Sequence, residues 1–292
     1  QIQHHHIAIH QINLMNQSQI KIGTSAWGSK ISIKKAITLG NKISNINLNH
    51  FDTAPNYGSG YSHYVLNNLG KRKNILVDTK YGQNIRLSLK ELTKRIYRFK
   101  NFKSFMQSFK NIKFNNYERN NEKFWNINKI EKTFNSINID LNYCKIKSFY
   151  LHSPPYGILT KKYLEEFSDF FIKKKIFPGI SDPDTKDLML IIENFPTINL
   201  QISLNTFWKN RKDLIYNMEN IHLNSVFRKL NNDQIISNNI DSDFKDEFLE
   251  ILKKKKNYKI ILGINSNHTL EKLKDINLNF SNIFNKVNEK KN

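Results

Sequence analysis

The feature that most constrains this chain is an alternation that starts near residue 18 and runs almost to its end. Short β-like runs at 19–23, 48–52, 75–80, 146–152, 177–180, 200–204, 221–226 and 259–263 are separated by stretches of helical periodicity. The helical stretches lie around 31–45, 61–70, 128–139, 159–175, 184–194, 210–219, 242–256 and 268–275. A strand that is followed by a helix before the next strand pairs in parallel, because a parallel return needs a crossover. Eight such units match the number that closes a (β/α)8 TIM barrel, and a single barrel domain over residues 15–292 is the expectation. The competing architecture, an open doubly wound sheet, calls for a glycine-rich phosphate loop after its first strand. The run Gly23-Thr24-Ser25-Ala26-Trp27-Gly28 lacks that spacing. Helix starts are marked by Ser32, by Asp184 and by Asp241 or Ser242, side chains that accept from otherwise free backbone N–H groups.

Composition narrows the class further. Of the 292 residues 39% are hydrophobic and 24% charged, enough apolar content for a sizeable core. Lys and Arg outnumber Asp and Glu by 46 to 25, a net charge of +21 that raises the question of a nucleic-acid partner. The lysines are scattered through a chain rich in Asn, Ile and Lys throughout, the mark of an AT-rich coding sequence, so no specific nucleic acid is expected. One interval breaks the period: in 84–126 basic residues alternate with Phe and Tyr. That pattern reads either as an amphipathic excursion at the barrel mouth or as a track for a nucleic-acid backbone. The single Cys144 excludes an intramolecular disulfide and a cysteine zinc cluster and fits a reducing, cytoplasmic setting. No apolar run reaches membrane-spanning length. Residues 1–14 lack the pattern of a signal peptide and read as a disordered leader ahead of a start at Met15, with His4, His5 and His6 as an adventitious metal-binding triplet. A monomer without a resident metal is the default.

In a barrel the chemistry sits at the C-terminal ends of the strands. Those ends offer Asp52 and Tyr57 after the second run, Lys80 after the third and His152 after the fourth. Each has an ordinary structural explanation by itself: a loop cap, a turn aromatic, a surface charge, a strand-end imidazole. Together they make chemical sense. A tyrosine is a weak acid near pH 7; an adjacent ammonium favours its phenolate and lowers its pKa. A carboxylate keeps that lysine charged and oriented, and an imidazole opposite can position a carbonyl oxygen. The set suits protonation of an oxygen while hydride reaches the attached carbon.

With these residues in view the sequence resembles the aldo-keto reductases. The likeness starts at GTSAWG (23–28), is sharpest at FDTAPNYGSGYS (51–62), and continues through VDTKYG (77–82), FYLHSPP (149–155), PGIS (178–181), LQISLN (200–205) and ILGINSNHTLEKL (261–273). The resemblance implies a NADPH- or NADH-dependent reductase of small carbonyl compounds on a TIM barrel. It implies Tyr57 as general acid, Lys80 as its partner, Asp52 as counter-ion and His152 as the carbonyl-orienting group. It further implies that Ser181, Asp182 and Gln201 hold the nicotinamide and that Gly23 and Thr24 floor it. Gly263, Asn265, Ser266 and Thr269 would wrap the pyrophosphate and adenosine end, and Trp27 would touch substrate. The long interval after Lys80 and NSVF (224–227) are similar to a branch of sugar-lactone-forming aldose dehydrogenases. The runner-up reading is a reductase-like barrel that binds a nucleotide or partner without catalysis.

The departures from the family pattern bear on the cofactor. Asp182 stands where an asparagine is usual, Asn224 where an aromatic is common, His63 where a glutamate is expected, and Thr269 where an arginine or glutamine grips a 2′-phosphate. The last of these implies weak discrimination between NADPH and NADH.

Overall fold

In the computed structural model, residues 19–83, 122–210, 214, 217–224, 251–252 and 254–270 are described. The expected leader 1–14, most of the excursion 84–126, the cap at Asp241 or Ser242 and most of the helix at 242–256 lie outside them. The strands are β1 (Ile20–Gly23), β2 (His50–Asp52), β3 (Leu76–Tyr81), β4 (Lys145–His152), β5 (Phe177–Ser181), β6 (Asn199–Ser203), β7 (Ile221–Asn224) and β8 (Lys259–Gly263). Each is parallel to the next, and β8 pairs back onto β1 to close the barrel. The (β/α)8 expectation is met.

Helices α1 (Ile33–Ser44), α2 (Tyr61–Gly70), α3 (Ile127–Asp140), α4 (Lys161–Lys173) and α5 (Thr185–Asn194) fill the crossovers. Their start signals work as the sequence implies: Ser32 accepts from the Lys35 N–H and Asp184 from the Lys186 N–H. Strand bounds move by a residue or two, and the sixth unit differs in kind from the sequence reading. The sixth strand stops at Ser203, whose hydroxyl caps a short helix, α6 (Leu204–Lys209), by accepting from the Thr206 N–H. The apolar Leu204, read as strand, opens that helix instead.

The hydrophobic core is the shell between strands and helices. Phe149 on the outer face of β4 stacks on Phe171 of α4 at 4.6 Å between centroids, and Phe134 of α3 meets both edge-on. Trp27 packs edge-on against Phe51 of β2 at 5.7 Å. The inside of the barrel is different. Alternate residues of the strands point inward, and most of those positions on β1–β4 are polar, among them Lys21, His50, Asp52, Asp78, Lys80, Tyr150 and His152. Gly179 on β5 leaves room for this filling, since a Cβ there would come within 2.4 Å of the Tyr150 ring.

Candidate active site

The upper layer of interior side chains is built by register. Gly23, Asp52 and Asp78 are register partners across β1, β2 and β3, and Lys80 lies two residues further on toward the C-terminal mouth. There its ammonium donates to the Asp52 carboxylate and to the Thr53 carbonyl, the latter at 3.1 Å. Lys80 is fully buried and Asp52 is 3% exposed. Burial alone would drive the Lys80 ammonium toward neutrality, but the charges of Asp52 and Tyr57 outweigh it and hold its pKa above the ordinary value.

Tyr57 follows β2 through a tight turn. Its N–H donates to the Ala54 carbonyl and the Gly58 N–H to the Ser25 carbonyl. Gly58 has φ +55, and a Cβ there would lie 1.7 Å from the Trp27 carbonyl oxygen, so only glycine fits. Ser62, at the start of α2, donates to the carbonyls of Thr24 at 2.8 Å and Trp27 at 3.1 Å, tying the first two strand ends together. The Lys80 nitrogen stands 5.1 Å from the Tyr57 ring centroid, and the His152 ring meets Tyr57 nearly perpendicular at 6.1 Å. The four strand-end residues therefore converge on one point of the mouth.

Two opposing influences set the acidity of Tyr57. Burial pushes its hydroxyl up to about 12, and the opposing pull of the Lys80 charge and hydrogen bond is too small to reverse this. Asp52 and Asp182 add to the upward push. The lysine lowers the pKa, as its chemistry requires, while the net shift is upward.

On the other side of the mouth, Ser181 and Gln201 are level on β5 and β6. Gln201 is 2% exposed and among the described residues its Oε1 has no hydrogen-bond partner, a buried acceptor that fits an amide N–H₂ such as that of a nicotinamide carboxamide. The Ser181 hydroxyl donates to the Asp182 carboxylate at 3.4 Å. Asp182 has φ +48 and is fixed by its N–H donating to the Gln201 carbonyl at 2.8 Å. Asn224, at the end of β7, donates its amide to the same carboxylate at 3.3 Å and 3.4 Å. Past β8, Ser266 caps the helical turn that begins at 267 by accepting from the Thr269 N–H at 3.1 Å, and Asn265 and Ser266 are exposed. Gly263, also exposed, has open space around its α-carbon. Thr24 is fully buried, its hydroxyl donating to the Asp52 carbonyl at 3.0 Å.

Trp27 is the correction. Expected to touch substrate, it is fully buried, and its indole N–H donates to the Ile264 carbonyl at 2.9 Å. It braces the β1 loop against the β8 loop from within the core.

A second polar layer lies beneath the first and was not anticipated. Lys21 pairs with Asp78, whose other oxygen takes a hydrogen bond from His50 at 2.9 Å. The Lys21 ammonium also lies 3.2 Å from His222 Nδ1, and His222 is hydrogen-bonded to the Tyr150 hydroxyl. Burial alone would raise the Asp78 carboxyl; the charges of His50 and Lys21 instead hold it well below the usual range. The signal for this layer was present in the strands: Asp78, His50 and Tyr150 each stand two residues before a strand-end candidate.

A model of the aldo/keto reductase family matches residues 19–218, more than half of the chain. The protein belongs to that family. Membership supports a nicotinamide-dependent oxidoreductase in general terms. The fold is similar to that of an aldo-keto reductase from Bacillus halodurans in its holo form, with 12% identity and a TM-score of 0.57 over 90% of this chain and 86% of that one. It is likewise similar to a glycerol dehydrogenase from Gluconobacter oxydans, with 17% identity and a TM-score of 0.51 over 84% and 82%. An aldo-keto reductase from Klebsiella pneumoniae in complex with NADPH shares 11% identity and a TM-score of 0.52 over 90% and 84%. A search of curated proteins finds no match. Among the described residues, no helix is long and apolar enough to cross a membrane.

Proposed function

We propose that this chain reduces, or reversibly oxidises, the carbonyl of an aldehyde, ketone or sugar with NADPH or NADH. When bound, the cofactor supplies or accepts the hydride. Tyr57 donates the proton to the carbonyl oxygen, Lys80 stabilises the phenolate that this leaves, Asp52 keeps Lys80 charged and aimed, and His152 orients the carbonyl. Ser181, Asp182 and Gln201 hold the carboxamide end of the nicotinamide, with Gly23 and Thr24 beneath. Gly263, Asn265, Ser266 and Thr269 hold the phosphate and adenosine end. The observation that carries this reading is the buried Asp52–Lys80 pair lying against the Tyr57 ring, with His152 at the ring's edge. A wholly buried ion pair is a costly filling for a barrel, and here it is spent beneath a single tyrosine at the mouth.

The test is to mix the purified chain with NADPH or NADH and a panel of aldehydes and sugars, following nicotinamide absorbance. Turnover that Tyr57→Phe abolishes supports the assignment. Cofactor binding with no turnover on any substrate class would favour a nucleotide-binding barrel instead.

A further inference from the structure

Among the described residues, Asp182 is a carboxylate held in place by neutral partners. Its backbone is in the left-handed region at φ +48, a conformation that costs a non-glycine residue energy, and it is fixed there by the Gln201 carbonyl. Its carboxylate accepts from the Asn224 amide and the Ser181 hydroxyl, both neutral. Among the described residues it forms no ion pair, and the cation that its charge reaches, Lys80, is already joined to Asp52. The residue is exposed at the mouth, but its carboxyl is sunk far enough that burial raises its pKa, and its charge interacts with Lys80 and Tyr57. A charge so placed presents a negative potential to whatever lies between β5, β7 and Tyr57.

We propose that Asp182 makes the site selective for the oxidation state of its dinucleotide, its carboxylate favouring the cationic nicotinamide ring over the neutral dihydro ring. This rests on the cofactor reading above. Reduction moves a hydride from the dihydronicotinamide to the carbonyl carbon and a proton from Tyr57 to the carbonyl oxygen. The ring thereby gains one positive charge and Tyr57 one negative charge. Asp182 stabilises the first and opposes the second, so affinity for the cofactor, rather than turnover, reports its effect cleanly. The two forms of one dinucleotide share phosphates, riboses and carboxamide, and their affinity ratio isolates the ring's charge.

The experiment titrates the full chain at pH 8 with NADP⁺ and, separately, NADPH, following tryptophan fluorescence, for the wild type and Asp182→Asn. Asparagine preserves the shape and tolerates a positive φ. The expected result is that Asp182→Asn weakens NADP⁺ binding by about fivefold to tenfold relative to NADPH, the size of effect one charge has in a partly hydrated cleft. The NAD⁺ and NADH pair should repeat the shift, because the 2′-phosphate is not involved. A ratio that stays within about twofold of wild type, or that moves toward NADP⁺, overturns the inference while leaving the reductase reading intact. If the wild type binds neither form, that reading fails and the inference with it.

Discussion

Asp78 and Lys80 stand two residues apart on β3 and point into the same barrel interior, yet they belong to different ion pairs one layer apart. Lys80 is held by Asp52 at the mouth; Asp78 is held below by Lys21 and His50. The layers are not electrically independent, because the charge of Asp78 adds to the stabilisation of the Lys80 ammonium. The lower layer therefore both fills the barrel and supports the protonation state of the upper one.

This arrangement makes a stability prediction. Lys21 is 2% exposed, and Asp78→Asn leaves its ammonium without the carboxylate. An uncompensated buried charge costs about 3–5 kcal/mol, whereas removing both partners together costs less. Urea denaturation should show a large loss for Asp78→Asn and a partial recovery for the Lys21→Met, Asp78→Asn double variant. Additive losses would mean that the two side chains do not depend on each other.

For the chemistry, Tyr57→Phe should reduce carbonyl turnover by about 100-fold or more while leaving the cofactor dissociation constant nearly unchanged. The substitution removes a proton donor that matters only in the transition state. Steady-state rates paired with fluorescence titration check both halves, and substantial residual turnover would remove Tyr57 from the role of acid.

How much of this was legible from residues alone follows from one physical fact. The order of strands and helices, the caps Ser32 and Asp184, and the grouping of Asp52, Tyr57, Lys80 and His152 all follow from local pattern plus the rule that barrel chemistry gathers at strand ends. The lower layer did not. Lys21 between Ile20 and Ile22, like His222 between Ile221 and Leu223, reads as a strand with one face in water. In a closed barrel, helices cover the apolar face, and the alternate face is the interior. Trp27 failed for the opposite reason. The resemblance implied a substrate contact for it, but nothing local shows that its indole reaches the Ile264 carbonyl, a contact that spans the closing strand pair. The sequence names the lysine that lowers the Tyr57 pKa but not the depth of burial that raises it.

His63 gives a prediction about pH. It is buried on α2, 3.3 Å from the Thr79 hydroxyl, and burial followed by the charge of Lys80 pulls its pKa down from 6.5 to about 4. The unfolded chain thus takes up this proton before the folded one does. The stabilisation is fully present above about pH 6.5 and is lost as pH falls toward 4, amounting at most to about 3 kcal/mol. Replacing His63 with Gln, which keeps a partner for Thr79 and does not titrate, should flatten the fall in stability by close to one proton across that window. Denaturation midpoints at several pH values check it, and an unchanged slope would assign the acid sensitivity to other groups.

The Tyr57 hydroxyl, raised to about 12, stays protonated across the neutral range, so the acid required for reduction is present without titration near pH 7. The alkaline limb of kcat/KM for carbonyl reduction should accordingly lie well above neutrality. After burial, Lys80 and Asp52, the charge of Asp182 is the next influence on Tyr57, and it acts upward. Removing it in Asp182→Asn must therefore make the phenolate easier to form and move the alkaline limb to lower pH. The direction is the test, because a general loosening of the site would admit water, weaken the effect of the buried lysine and lower the burial cost at once, with no fixed sign. A pH–rate profile of the two proteins on one aldehyde decides it. A limb that stays in place or moves upward would show that Asp182 does not act electrostatically on Tyr57 in the working enzyme.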